Sequence, residues 1–163
     1  MILVLMGVSG SGKTTVAELL ARQLAWRFLD ADEFHSDASK SKMHAGIPLT
    51  DEDRAPWLEA MHRELVRLHG AGESVVLACS ALKDAYRRTL QGELPSDRVR
   101  FVFLHGDSAL IANRLERRRG TFMNPALLQS QLATLEPPRE ALSVDVAGTP
   151  EEIVGDIRKS LDI

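Results

Sequence analysis

The stretch GVSGSGKT, Gly7 to Thr14, constrains this chain more than any other. It follows an apolar run expected as a strand at about residues 2 to 6. It precedes TTVAELLARQL, in which Val16, Leu19, Leu20 and Leu24 fall on one face at helical spacing. A loop of the pattern G-x-x-x-x-G-K-(S/T) between strand and helix is a phosphate cradle. Its glycines Gly7, Gly10 and Gly12 let main-chain N–H groups approach phosphate oxygens. Lys13 neutralises charge on the β and γ phosphates, the Thr14 hydroxyl can ligate Mg²⁺, and the helix that opens there turns its positive end to the same point. The expected ligand is a nucleoside triphosphate. The Asn/Thr-Lys-x-Asp motif that reads guanine is absent from the sequence, so ATP is expected rather than GTP.

The rest of the chain extends this strand-loop-helix start into an alternating order. RFLD reads as a second short strand, and residues 36 to about 50, polar and carrying Gly46 and Pro48, read mainly as loop with room for one helical turn. DEDRAPWLEAMHRELVRLHG reads as a helix with Trp57, Met61, Leu65 and Leu68 on one face. SVVLAC and VRFVFL are continuous apolar runs of the kind expected for strands covered on both faces, with the short helix KDAYRRTLQG between them. Two further helices, DSALIANRLERRRG and NPALLQSQLATLE, lead to a short strand in LSVDVAG and a closing helix begun by Pro150. This order predicts an α/β fold with a mostly parallel sheet of about five strands and helices on both faces.

At 163 residues, the expectation is one compact domain spanning 1–163. A net charge of −3 supplies no basic face for nucleic acid. The opening apolar run is far too short for a membrane span, and one cysteine, Cys79, fits a reducing compartment, with the cytoplasm as the default. A motor or larger ATPase needs more chain than this, which leaves a small kinase with an acceptor site.

Acceptors in parallel α/β sheets bind at the carboxyl ends of the strands. LDADEFH, residues 29–35, places Asp30 and Asp32 just past the second strand. If the backbone stays extended there, both carboxylates share one side. Asp30 is the candidate for orienting a metal-bound water and Asp32 for orienting the acceptor hydroxyl. His35, with an unperturbed pKa near neutrality, is the rival base or a contact to substrate. His62 and His69 have the spacing of a solvated helix face.

The chain resembles the gluconate kinases, or gluconokinases, nearly end to end. The resemblance is carried by LMGVSGSGKT, by Asp30, Asp32 and His35, and by KMHAGIPLTDEDRAPWL, CSALKDAYRRTL, LHGD and SQLATLEPP. Departures are Ala31 for the family's glycine, Ser36 for its proline, Ser39 for its asparagine and Thr121 for its histidine. The resemblance implies a three-layer P-loop kinase fold with a short helical lid near 114–126 and transfer of the ATP γ-phosphoryl group to the terminal hydroxyl of gluconate. It implies nucleotide contacts from Gly7, Ser9, Gly10, Ser11, Gly12, Lys13, Thr14 and Thr15. Arg114 is expected to stack on adenine, with Gly148 and Pro150 in the segment that wraps the base, and Arg118 to reach the phosphates. Arg54, with Lys83 and Arg87 behind it, is the candidate for the substrate carboxylate, because a guanidinium offers a bidentate fork. A small-molecule sugar acid is the implied partner, and a homodimer is compatible with the family.

Two other readings compete. A shikimate-type kinase would carry a Gly-Gly-Gly run after the third strand, where this chain has CSAL. A regulatory ATP-binding module would have no need of two aspartates, Arg54 and a lid.

Overall fold

A computed structural model describes residues 1–117 and 125–163. Its elements run β1 (Ile2–Met6), α1 (Lys13–Leu24), β2 (Arg27–Asp30), a 3-10 turn (Ala31–Phe34), α2 (Asp37–His44), α3 (Asp51–Gly70), β3 (Val75–Ala78), α4 (Asp84–Gln91), β4 (Val99–His105), α5 (Ser108–Arg117), α6 (Pro125–Thr134), β5 (Leu142–Asp145) and α7 (Pro150–Leu161). The five strands form one parallel sheet in the order β2-β3-β1-β4-β5. This is the α/β layer arrangement expected from the alternating sequence.

Every residue of β1 is buried because both of its faces are covered. Side chains alternate across a strand, so β1 feeds two cores. Ile2, Val4 and Met6 pack with Trp57, Met61, Leu65 and Leu68 of α3 and Leu90 of α4. Leu3 and Leu5 pack on the opposite face with Val16 and Leu20 of α1 and Val154 and Ile157 of α7. The apolar stripes read from the sequence of α1 and α3 are thus the surfaces that dock on the sheet.

The chain leaves β1 for β2 on one side, returns to β3, and then crosses β1 to reach β4 on the other side. Ligand crevices in open α/β sheets form where the winding reverses in this way, outside the carboxyl ends of the strands. The phosphate loop lies there, and its Gly7 N–H donates to the Ser80 carbonyl just past β3 at 3.3 Å.

One segment differs from the sequence expectation. Residues 37–44 form helix α2 rather than loop, started by Ser36, whose hydroxyl accepts the Ser39 N–H at 3.1 Å. This serine, which stands where the family has proline, caps the helix. Lys42 ties α2 to the start of α3 by donating to both Asp53 carboxylate oxygens, at 3.0 and 2.9 Å. Asp53 is also the return partner of Thr50 in a capping box that starts α3, and its carboxyl is held down to about 2 by these bonds, led by the Thr50 backbone N–H and then Lys42.

Candidate active site

The phosphate loop is compressed from two sides. Gly7 has φ 146°, and a Cβ there would meet the Leu104 carbonyl oxygen of β4 at 2.5 Å. Gly10 has φ 82°, and its Cβ would lie 2.7 Å from Leu115 Cγ and 3.1 Å from the Ile111 carbonyl oxygen. Both positions therefore require glycine for conformation and for close approach. The Lys13 ammonium folds back over the loop and donates to the Val8 carbonyl at 2.9 Å.

The Thr14 hydroxyl donates to Asp30 Oδ2 at 3.3 Å, so the two oxygens expected on the metal side are adjacent. An alcohol and a carboxylate are the hard oxygen donors that suit Mg²⁺, with phosphate oxygens and water completing its shell. The other Asp30 oxygen accepts the Asp32 N–H at 2.9 Å. That bond explains a correction to the sequence reading. Asp30 is extended, with φ −105° and ψ 125°, but the chain then turns into 3-10 geometry at Ala31 because the Asp30 carboxylate caps the turn. The link between the two aspartates is therefore a capped turn. Ala31 is buried and is not among the positive-φ residues, so the family's glycine is replaced without strain.

A cleft of about 410 Å³ opens above the carboxyl ends of β1, β2 and β3, and Lys13, Thr14, Asp30, Asp32, His35 and Arg54 all line it. Burial, reinforced by the neighbouring Asp30 charge, raises the Asp32 carboxyl above its ordinary value against the opposing pull of His35 and Lys13. Burial lowers His35, although Asp32 opposes that shift. The His35 ring stacks on Trp57 with centroids 4.4 Å apart and planes 8° from parallel, and its buried Nδ1 has no hydrogen-bond partner among the described residues. The Trp57 indole N–H in turn donates to the Ala31 carbonyl at 2.7 Å. Trp57 thus holds both the turn that carries Asp32 and the ring of His35.

Trp57→Phe keeps the aromatic body and deletes that N–H. It is expected to cost about 1 kcal/mol, lowering Tm by roughly 2–4 °C, and to reduce kcat by loosening the turn. Thermal melting and steady-state kinetics check this, and unchanged Tm together with unchanged kcat would contradict it.

The cations expected at the substrate carboxylate separate. Arg54 lines the cleft and is braced from behind, 3.4 Å from the Tyr86 hydroxyl and 3.9 Å from Asp51. Tyr86 donates to Asp51, and Lys83 donates to both Asp51 oxygens at 3.1 Å. Lys83 is therefore engaged outside the cleft lining. Arg87 is a clearer correction, being only 7% exposed and absent from the lining. Its Nη1 donates to the carbonyls of Ala81 and Leu82, at 2.9 and 3.2 Å. Ala81 carries a left-handed φ of 42°, so Arg87 braces a strained turn of the β3–α4 loop and stands outside the cleft lining.

Of the other expected contacts, Arg114 Nη2 donates to the Val146 carbonyl and so reaches the 145–150 segment. Pro150 is the first residue of α7, and Gly148 sits against Glu152, the return partner of the Thr149 capping box. Ser9, Gly10 and Gly12 line the cleft with Lys13, whereas Thr15 is exposed on α1 outside it. Ser11 is fully buried and its hydroxyl lacks a partner among the described residues. Arg118 and most of the 114–126 segment lie outside the described residues.

His62 corrects another expectation. Its Nδ1 lies 3.1 Å from the Leu90 carbonyl and its Nε2 3.3 Å from Glu93, so it packs between α3 and α4 rather than facing solvent. Cys79 is fully buried, and its thiol is pushed up to about 12 by burial, which makes it an inert core residue.

Sequence reasoning assigned no role to Gln131, whose side chain lines the cleft and bonds the phosphate loop. Trp57 appeared only as a core position. The available signals were the SQLATLEPP and DRAPWL runs, in which each stands among the residues carrying the family resemblance.

Comparisons with known proteins agree with this geometry. Residues 2–138 match a family described as an AAA domain. A probable gluconokinase of Xenopus tropicalis is 45% identical over 99% of this chain and 94% of its own length. Among solved structures, a sugar kinase from Janibacter superposes with a TM-score of 0.91 at 44% identity, covering 99% of this chain and 94% of the other. A gluconokinase from Sinorhizobium meliloti superposes with a TM-score of 0.84 at 42% identity, covering 98% and 94%. With a phosphate loop, a paired-aspartate turn and a braced arginine around one cleft, and with relatives this similar along nearly the whole chain, the protein belongs to the gluconokinase family of P-loop kinases.

Proposed function

We propose that the chain, working as one kinase domain over residues 1–163, transfers the γ-phosphoryl group of ATP to the terminal hydroxyl of D-gluconate, giving 6-phospho-D-gluconate and ADP. The observation that carries this reading is the shared cleft, in which Lys13 of the phosphate loop, Asp32 of the turn after β2 and Arg54 of α3 line one space. Phosphoryl transfer has a loose transition state, so the protein's work is positioning and charge stabilisation. Loop amides and Lys13 hold the phosphates, and Asp32 orients the acceptor hydroxyl and takes its proton late. Mg²⁺ held from the side of Thr14 and Asp30 supplies neutralisation of phosphate charge when bound. Arg54 receives the gluconate carboxylate at the end remote from the reacting hydroxyl, and the Tyr86–Asp51 pair keeps its guanidinium aimed. The buried thiol of Cys79 suits a cytoplasmic setting.

Arg54→Ala is expected to raise KM for gluconate by roughly 10- to 100-fold, the range for losing a hydrogen bond to a charged group, with a small change in KM for ATP. The polyol of the same length without the carboxylate should be a poor acceptor for wild type and should lose nothing further in the variant. An equal loss for both acceptors would remove Arg54 from the carboxylate subsite.

A further inference from the structure

We infer that Gln131 is a positioning residue that locks helix α6 onto the phosphate loop and thereby reserves the phosphoryl group for the acceptor hydroxyl rather than water; this rests on the kinase reading above. The Gln131 carboxamide makes a two-point contact to a single loop residue. Its Oε1 accepts the Ser9 N–H at 2.7 Å, and its Nε2 donates to the Ser9 hydroxyl at 3.1 Å. The carboxamide supplies the acceptor for the N–H and a donor for the hydroxyl oxygen from one planar group.

A second link pins the same segment to the acceptor side. The Glu136 N–H donates to the Leu82 carbonyl at 2.8 Å, and the Glu136 carboxylate accepts the Asp84 N–H at 2.8 Å. One turn before the Gln131 anchor, Leu128 packs with Val8 of the phosphate loop and with Leu82 and Ile111. Helix α6 and the residues after it therefore join the donor loop at Ser9 to the β3–α4 loop at Leu82 and Asp84. Ser130, Gln131 and Thr134 form a wall of the cleft that holds Lys13 and Asp32. A wall anchored to both loops keeps its place when either ligand arrives and limits water at the γ phosphate. Without the Gln131 anchor, water can take the group: its oxygen bonds to the γ phosphorus, ADP leaves, and inorganic phosphate and a proton are released.

The test follows two readouts in wild type and in Gln131→Ala. Phosphate release from ATP with no acceptor present does not depend on which sugar acid is used, and it is expected to rise roughly tenfold in the variant. With acceptor, ADP formed per phosphorylated sugar acid should stay near one for wild type and climb above it for the variant, with kcat falling more than KM rises. In a cycle with Ser9→Ala, the effect of Gln131→Ala should shrink, as expected for two groups acting through one contact. Gln131→Met, of similar length and with neither the amide acceptor nor the donor, is a second variant and should also leak. Unchanged acceptor-free phosphate release in both Gln131 variants would overturn the inference, as would strictly additive effects with Ser9→Ala. Failure of wild type to use gluconate would instead strike the substrate reading and leave the acceptor-free comparison as the deciding result.

Discussion

Exchange of Asp32 for asparagine is expected to lower kcat by about 10²- to 10⁴-fold, the usual range for removing a group that handles a proton in the transition state, while ATP affinity changes little. Asparagine keeps the shape and can still contact a hydroxyl, but it cannot accept the proton. The environment of Asp32 adds a pH signature. Burial, the largest cause, raises its carboxyl, so it must lose its proton at a higher pH than an ordinary aspartate before it can act. Activity should therefore fall as the pH drops through that raised value, and this acid limb should vanish in Asp32→Asn.

Linkage fixes the sign of the stability effect. A carboxyl whose folded pKa is raised favours folding fully below its unfolded pKa, and that contribution is lost as pH rises through the folded value. At neutral pH the ionised Asp32 is thus a cost to the fold. Asp32→Asn should melt no lower than wild type while losing turnover, which separates loss of chemistry from loss of structure. His35 moves the other way, since burial keeps its imidazole neutral to lower pH than usual. If His35→Ala abolished single-turnover phosphorylation with substrate still bound, and Asp32→Asn retained it, the roles of the two residues would be exchanged.

Lys13→Met should be almost as damaging, with a loss of about 10²- to 10³-fold in kcat, as for removal of one preorganised stabilising donor. The ammonium lies 2.9 Å from the Val8 carbonyl, curled over the loop where the β and γ phosphates would rest. Methionine retains most of the stem and deletes the charge. Lys13→Arg is not expected to rescue, because a planar guanidinium does not fit the place of a compact ammonium. Steady-state kinetics and calorimetric titration with ATP check both variants, and near-normal kcat in Lys13→Met would remove the lysine from charge stabilisation.

Sequence periodicity exposed the frame of the molecule because the buried strands are continuous apolar runs and the helices that cover them carry one apolar stripe. The phosphate loop was legible for a different reason, since only glycine tolerates the close approach of Leu104 and Ile111. Helix α2 left no such trace. It is largely polar and is anchored by a serine cap and by Lys42 to Asp53, contacts that have no periodicity. The turn between Asp30 and Asp32 was misread as extended because one side-chain-to-backbone bond, invisible in composition, bends it.

Charge was the least reliable guide. Arg54, Lys83 and Arg87 look alike in sequence, yet only Arg54 lines the cleft, while Lys83 is held by Asp51 and Arg87 by two carbonyls. Gln131, an uncharged amide on a helix, offered no pattern and still ties α6 to the phosphate loop.

Product analysis of the chain incubated with ATP, Mg²⁺ and a panel of sugar acids including gluconate tests the central claim most directly, with ADP followed by a coupled assay and the phosphorylated carbon identified by NMR. Gluconate should be turned over in preference to its isomers, with one ADP formed for each phosphogluconate and the phosphoryl group on the terminal hydroxyl. Absence of gluconate turnover under conditions where another acceptor is phosphorylated, or phosphorylation at any other hydroxyl, would contradict the account.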